Sequence, residues 1–493
     1  MSGAKGQAIK MTTGFNLWDA DVWVGLLGFA AILASVLLAN LLRRVVKPLR
    51  RSLVPSPVLG GFLLLFILWG LRSIAGDDLI PSSFFEIITY HGLGLGFAGI
   101  SLKIVEKVKD RRAQRDVFNS ALVTVSTYLL QGVIGLALSI ALFYLIGSYM
   151  AAGMLMPMGY GQGPGQAFNW GTIYQNQWEF DHGASFGLSI AAVSYLAASI
   201  GGIFYLSKLR RKKHPKILAK LDDGKTPAAH EVADIAMPGE IPLADSVDKL
   251  TVQFGLVFLA YTIGYGMIAL LSWLCEASGI ALLVETVKPL LWGFNFIFAS
   301  ISAIFLKKIL SGLKEEGLIK KTYTNNIMLD RVSGVMFDMM VVAAIAAITL
   351  ASFQEPTILI PLVVLCVAAG FATYFYVHYI TTRLFPRYPE ESFLALFGML
   401  VGMASTGVIL LREIDPRFET PACKNLIYQA LYAVLLGFPL LLLMGFAPQP
   451  GWAFPTLGIM TAMFVGFFIW IRFTIKKVSN EYAAEKALEK VTD

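Results

Sequence analysis

Eleven stretches of mostly apolar residues run through this chain, near 21–42, 57–74, 83–103, 118–148, 184–206, 251–274, 286–306, 332–352, 357–382, 425–447 and 453–473. Each has about the length needed to cross roughly 30 Å of hydrocarbon. No water meets the backbone there, so every N–H and C=O must be paired inside the protein, which a helix does segment by segment. The stretches therefore predict an all-α polytopic membrane protein with about 11 transmembrane helices. Composition agrees: 56% of the 493 residues are hydrophobic and 15% are charged, against about a quarter charged in soluble domains.

The net charge of +7 does not point to nucleic acid, because the basic residues sit in short loops beside apolar stretches. Arg43, Arg44, Lys47, Arg50 and Arg51 follow the first, and Lys103 to Arg115 the third. Lys208 to Lys216 follow the fifth, Lys307 to Lys321 the seventh, Arg383 and Arg387 the ninth, and Arg472, Lys476 and Lys477 the eleventh. Loops after even-numbered stretches are acidic or neutral, as at Asp77 and Asp78. Basic loops stay in the cytoplasm, so the expectation is a multi-pass cell (plasma or inner) membrane protein with its N-terminus outside and its C-terminus cytoplasmic. The first stretch lacks a short apolar core followed by a cleavage site and reads as retained. Cys275, Cys366 and Cys423 lie far apart and suggest neither a disulfide framework nor a zinc site.

Five stretches precede a polar, proline-bearing segment at 207–249, which reads as a cytoplasmic linker. An odd number of crossings sends the second half into the membrane upside down relative to the first, the setting for inverted repeats. The expected organisation is an extracellular segment 1–20, a first repeat 21–206, the linker, a second repeat 250–447, and an extra transmembrane helix with a cytoplasmic tail at 448–493. Internal similarity agrees. Pro57, Leu59, Gly61, Phe62 and Phe66 fall on Pro289, Leu291, Gly293, Phe294 and Phe298 at constant offset, and "FAGISL" at 97–102 pairs with "IAAITL" at 345–350.

Two segments are too broken to cross as rods. Within 151–182, "AAGMLMPM" is about half a span and is followed by "GYGQGPGQ" and "AFNWGTIYQNQW". Within 391–416, "SFLALFGMLVG" is followed by "MASTG" and "VILLREIDP". Both read as re-entrant hairpins, whose irregular backbone survives at membrane depth only when buried in protein or lining a watery cavity. Glycines let such tips turn sharply and approach closely, and Pro164 interrupts the helix. The N–H groups opening each return arm suit a carboxylate, and free carbonyls suit a cation such as Na⁺. Candidate substrate-binding residues are Gly161, Gln162, Gly163, Gly165, Gln166, Asn169, Gly402, Ser405, Thr406, Gly407 and Arg412, the last as a bidentate clasp for a second carboxylate. A Na⁺ site is expected near Gly163, Ser405 and Thr406, with Asp338, a carboxylate inside the eighth stretch, as a further ligand or a snorkelling side chain. "GYG" is not a potassium filter, because Pro157 and Met158 stand where Thr and Val belong. Glu86 and His91 read as interfacial, and Gln131 and Asn295 as interhelical hydrogen bonders.

The chain resembles the sodium:glutamate symporter family over about 20–447. The family's early P-x-P-V-x-G-G matches Pro55-Ser56-Pro57-Val58-Leu59-Gly60-Gly61, and its first tip, Gly-Gly-His-Gly-Thr-Gly, is similar to Tyr160-Gly161-Gln162-Gly163-Pro164-Gly165. Tyr160, Gln162 and Pro164 depart from the pattern. The second tip matches through Gly402, Ser405 and Thr406. The resemblance implies two inverted five-helix repeats each with a re-entrant hairpin, sodium-coupled symport of glutamate or a similar small organic anion, and a homodimer moving as an elevator-type transporter. Proton coupling to another carboxylate, or a passive channel, are the alternatives. No GxxxxGK[ST] motif offers ATP drive, and no triad or metal set suggests an enzyme. Partners are then an anionic solute and membrane lipid, not nucleic acid, with Na⁺ as coupling ion and no organic cofactor.

Overall fold

A computed structural model describes residues 16–76, 78–104, 110–211, 248–281 and 283–492. Most of the expected extracellular segment 1–20 and of the linker 207–249 lies outside the described residues.

All eleven predicted stretches are helical over most of their length. The first three are α1 (Ala20–Val45), α3 (Ser56–Ala75) and α4 (Ser82–Leu102), with the short α2 (Lys47–Arg51) after α1. The fourth is α5 (Arg111–Ile146), which starts before residue 118 because Asp110 accepts hydrogen bonds from the backbone N–H groups of Arg112 and Ala113 and so caps the opening turn. The fifth is α7 (Gly183–Arg211), preceded by α6 (Pro164–Gln177); the sixth is α8 (Lys249–Ser278). The seventh is broken. A π turn at Leu283–Val287 leads into α9 (Lys288–Gly293), the helix is interrupted at Phe294, and α10 (Asn295–Glu315) continues. The eighth, α11 (Asn326–Ala346), lies six residues earlier at each end than expected, because Asn325 caps it by accepting from the Met328 N–H at 2.9 Å. The ninth is α12 (Pro356–Leu384), followed by α13 (Pro389–Leu400) and α14 (Ala404–Arg412). The tenth is bent between α15 (Ala422–Tyr428) and α16 (Ala430–Phe446), and α17 (Ala453–Thr492) runs far past the eleventh.

Eight of these helices are long and apolar enough to cross a membrane, or nine with the bent pair counted as one. The other two of the eleven, α4 and α11, have 21 residues each and are less apolar. They pack on each other, and Thr89 of α4 and Ser333 of α11 are buried.

Packing follows the halves. α1 lies on α3 and α8 on α10; α4 touches α10 while α11 touches α3; α5 lies along α12. Helices α1, α3, α4, α8, α10 and α11 thus form one group, and α5, α7, α12 and α15 to α17 another, with α6 touching both. Pro57 and Pro289 both fall in the opening turn of their helices, α3 and α9. The second pairing does not hold: 97–102 is helical throughout, whereas 345–350 leaves α11 after Ala346.

Both interrupted segments fold as hairpins. The 12-residue α13 and nine-residue α14 reach roughly 18 and 14 Å, short of a crossing. A Cβ on Gly398 would lie 2.6 Å from Cα of Gly407, whereas nine residues of straight helix span roughly 14 Å, so the chain doubles back at 401–403. In the first hairpin, a 3-10 turn at Ala152–Met154 and a π turn at Pro157–Gln162 form the entering arm, and α6 returns.

The extended α17 braces the second group. Glu481 pairs with Arg115, and Glu485 pairs with both Arg112 and Arg387, joining the start of α5 to the loop before α13. Beside this network Tyr388 donates to Asp116 at 2.6 Å and accepts from Asn425 at 3.0 Å. Burial, then the adjacent carboxylate, push the phenol well above its usual range, so it stays a donor. We expect Tyr388→Phe to leave Asp116 without this donor and to cost about 2 kcal/mol, read as a lowered unfolding midpoint in detergent. An unchanged midpoint would mean that water replaces the hydroxyl.

Candidate functional site

The two hairpin tips meet. Gly163 has φ +88° and ψ −175°, a conformation open in practice only to glycine. It reverses the chain between the π turn and α6. A Cβ there would lie 3.3 Å from Cγ of Met403 and 3.9 Å from the carbonyl oxygen of Gly402, so the first tip rests directly on the second.

Both return arms open at this contact with uncapped N-termini. α6 begins at Pro164, which fits the first helical position because it has no N–H to lose, and neither Gly163 nor Met403 supplies a side-chain cap. Gly161 is held from α5: the Tyr128 hydroxyl donates to its carbonyl at 2.9 Å. Gly165 packs on α4 and α11, where a Cβ would lie 2.8 Å from Leu93 and 3.0 Å from Sδ of Met340. Tyr160, one of the three departures from the family pattern, is fully buried and donates to the Cys366 carbonyl of α12 at 2.7 Å.

The node of the site is Gln131 on α5. It is 0% exposed. Its Nε2 donates to Thr373 Oγ1 of α12 at 2.9 Å and to the Leu400 carbonyl at the end of α13 at 3.1 Å. Its Oε1 has no partner and faces the first tip, 3.3 Å from where a Cβ on Gly161 would stand. Thr406 is likewise fully buried with an unpartnered hydroxyl, 3.0 Å from the corresponding point on Gly402. Gln166, 2% exposed, has neither side-chain atom bonded. Buried polar atoms are almost always paired, and three such side chains on and beside the meeting tips mark a place prepared for polar company.

The other expected residues divide. Gln162 is half-buried at the tip, whereas Ser405 is exposed on it, with Ala404 beside it. Gly407 is a packing residue: a Cβ there would strike the Ala395 carbonyl at 2.3 Å, so it keeps the arms of the second hairpin together rather than meeting a solute. Asn169 faces away from the second tip. Its Nδ2 donates to the Gly293 carbonyl at the break of the seventh stretch, at 3.0 Å. Asn295 does bridge helices, donating to the Tyr90 carbonyl at 3.1 Å.

Arg412 is not brought to the tips. It ends α14 as the ninth residue of that arm, is exposed, and sits over the Phe418 ring at 5.5 Å. We expect Arg412→Ala to leave solute binding within about twofold of wild type, measured by equilibrium binding. A tenfold loss would return it to the site. Asp338 is exposed on α11, two residues before Met340, which touches the return arm. His91 bonds the Tyr261 hydroxyl at 2.9 Å.

Sequence reasoning missed the role of Gln131, Tyr128 and Met403 in joining the tips, and the second interruption at Phe294. A glutamine in an apolar stretch signals only some polar partner, and the partner came from the other half of the chain. No protein-family model, curated protein or solved structure matches this chain.

Proposed function

We propose that the protein is a secondary active transporter, a sodium-coupled symporter of glutamate or a similar small organic anion, rather than an enzyme. The observation that carries the reading is the contact of Gly163 with Gly402 and Met403: two irregular tips, one from each half, meeting among buried unpartnered polar atoms. Irregular backbone of this kind survives at membrane depth only buried in protein or lining a watery cavity, and the unpartnered polar atoms beside the tips favour the cavity. The anion's carboxylate takes the N–H groups opening α6 and α14. Na⁺ takes oxygens, for which Gln131 Oε1 and Thr406 Oγ1 are the free donors. The packing that exchanges equivalent helices of the two halves supports inverted repeats, and the two helix groups joined across α6 support a moving unit against a fixed one, an elevator, with the homodimer implied by the resemblance. The basic loops support an outside N-terminus and a cytoplasmic C-terminus.

Reconstituted vesicles test this. Labelled glutamate should accumulate against its gradient when Na⁺ is high outside, and should show transient counterflow in preloaded vesicles. Equilibration without accumulation would make the protein a passive channel. Accumulation driven by a pH gradient with equal Na⁺ would make the coupling ion a proton.

A further inference from the structure

A cavity of about 680 Å³ lies outside the tips, between α6 and the broken seventh stretch. Its floor is Asn169 and Thr172 of α6, Trp292 and Gly293 close the opposite wall, and Glu285 and Lys288 stand at the rim. Its size is that of an ordinary small-molecule site.

The chemistry of the lining has a sign. Asn169 is 4% exposed and its Nδ2 is committed to the Gly293 carbonyl, so only its unpartnered Oδ1 remains, an acceptor. The Tyr90 hydroxyl, also in the lining, is committed to the Trp292 carbonyl at 2.9 Å. Lys288 is ion-paired with Glu276, which cancels its charge. Glu285 has no hydrogen bond or ion pair among the described residues. Glu276 itself does not line the cavity, so with Lys288 held by it Glu285 is the lining's one unpaired charge. Trp178, Trp292 and Phe168 add aromatic faces, which attract cations. Thr172, Asn176 and Gln177, also in the lining, can donate as well as accept, so the unpaired carboxylate and the aromatic wall carry the preference for a cation.

We propose that this cavity is a binding site for a small organic ammonium cation, distinct from the anion and Na⁺ site at the tips. The ammonium faces Glu285, and its apolar body lies along Trp292 and Trp178. The site stands on its own lining and not on the transport reading, since a protein that moves no anion would still hold it.

The test is isothermal titration of the purified protein at fixed Na⁺ with 2-phenylethylammonium and, as a matched anion, 3-phenylpropionate. The ammonium should bind and the anion should bind at least fivefold more weakly. Glu285→Gln, at an exposed position, should weaken the ammonium about fivefold, the size of a partly screened charge contact. Lys288→Gln should tighten it about threefold by removing the competing cation and freeing Glu276. Gly163→Leu should leave its affinity unchanged, which separates this site from the tips. Tighter binding of the anion, absence of ammonium binding at millimolar concentration, or weaker ammonium binding in Lys288→Gln would each overturn the proposal.

Discussion

Gly163→Leu should lower uptake about a hundredfold while the protein still inserts and accumulates. Two costs combine at this residue. The φ of +88° with extended ψ costs a side-chain-bearing residue about 1–3 kcal/mol. The added Cβ would sit 3.3 Å from Met403, so the remaining carbons of leucine must push the tips apart. Neither cost touches the lipid-facing helices or their insertion, and every 1.4 kcal/mol lost at the contact is about tenfold in occupancy of the closed site. Gly163→Ala should fall between wild type and leucine, since it carries the backbone cost with less bulk. Wild-type uptake by the leucine variant would show that the tips do not need to touch.

The second large effect is expected at Gln131. Gln131→Leu removes the donors to Thr373 and the Leu400 carbonyl together with the free Oε1 beside Gly161. Each buried group left unpaired costs about 1–3 kcal/mol. The Na⁺ concentration giving half-maximal uptake should therefore rise at least tenfold. Gln131→Glu separates the ligand role from the bracing role: it keeps an oxygen in place, so Na⁺ dependence should persist and become pH-dependent. If leucine lowers the maximal rate with the Na⁺ dependence unchanged, Gln131 is a brace between the hairpins and no ion ligand.

The helices were legible because the bilayer leaves the backbone little choice, and the glycine-rich breaks were legible because nothing regular fits them. Distances across the chain were not. Arg412 is close to the second tip in sequence, but the nine-residue α14 carries it roughly 12 Å along the helix axis. Asn169 follows Gly163 by six residues, about 240° around a helix, which turns its amide toward Gly293 instead of Met403. Gly407 and Gly163 look alike as letters; one keeps two arms in contact and the other reverses the chain. The break at Phe294 falls inside 286–306, which reads as one apolar stretch. The start of α11 was set by Asn325, a cap that hydropathy does not register.

The salt-bridged end of α17 makes a natural pointer. Its anchors are the start of α5 and the loop before α13, all in the group that carries the hairpins, while the C-terminal end of α10 belongs to the other group. A pair of spin labels, one near Ala484 and one near Ser311, therefore spans the two groups without entering either cavity. Any sliding between them would be read as a change in that separation, in whichever direction the solute drives it.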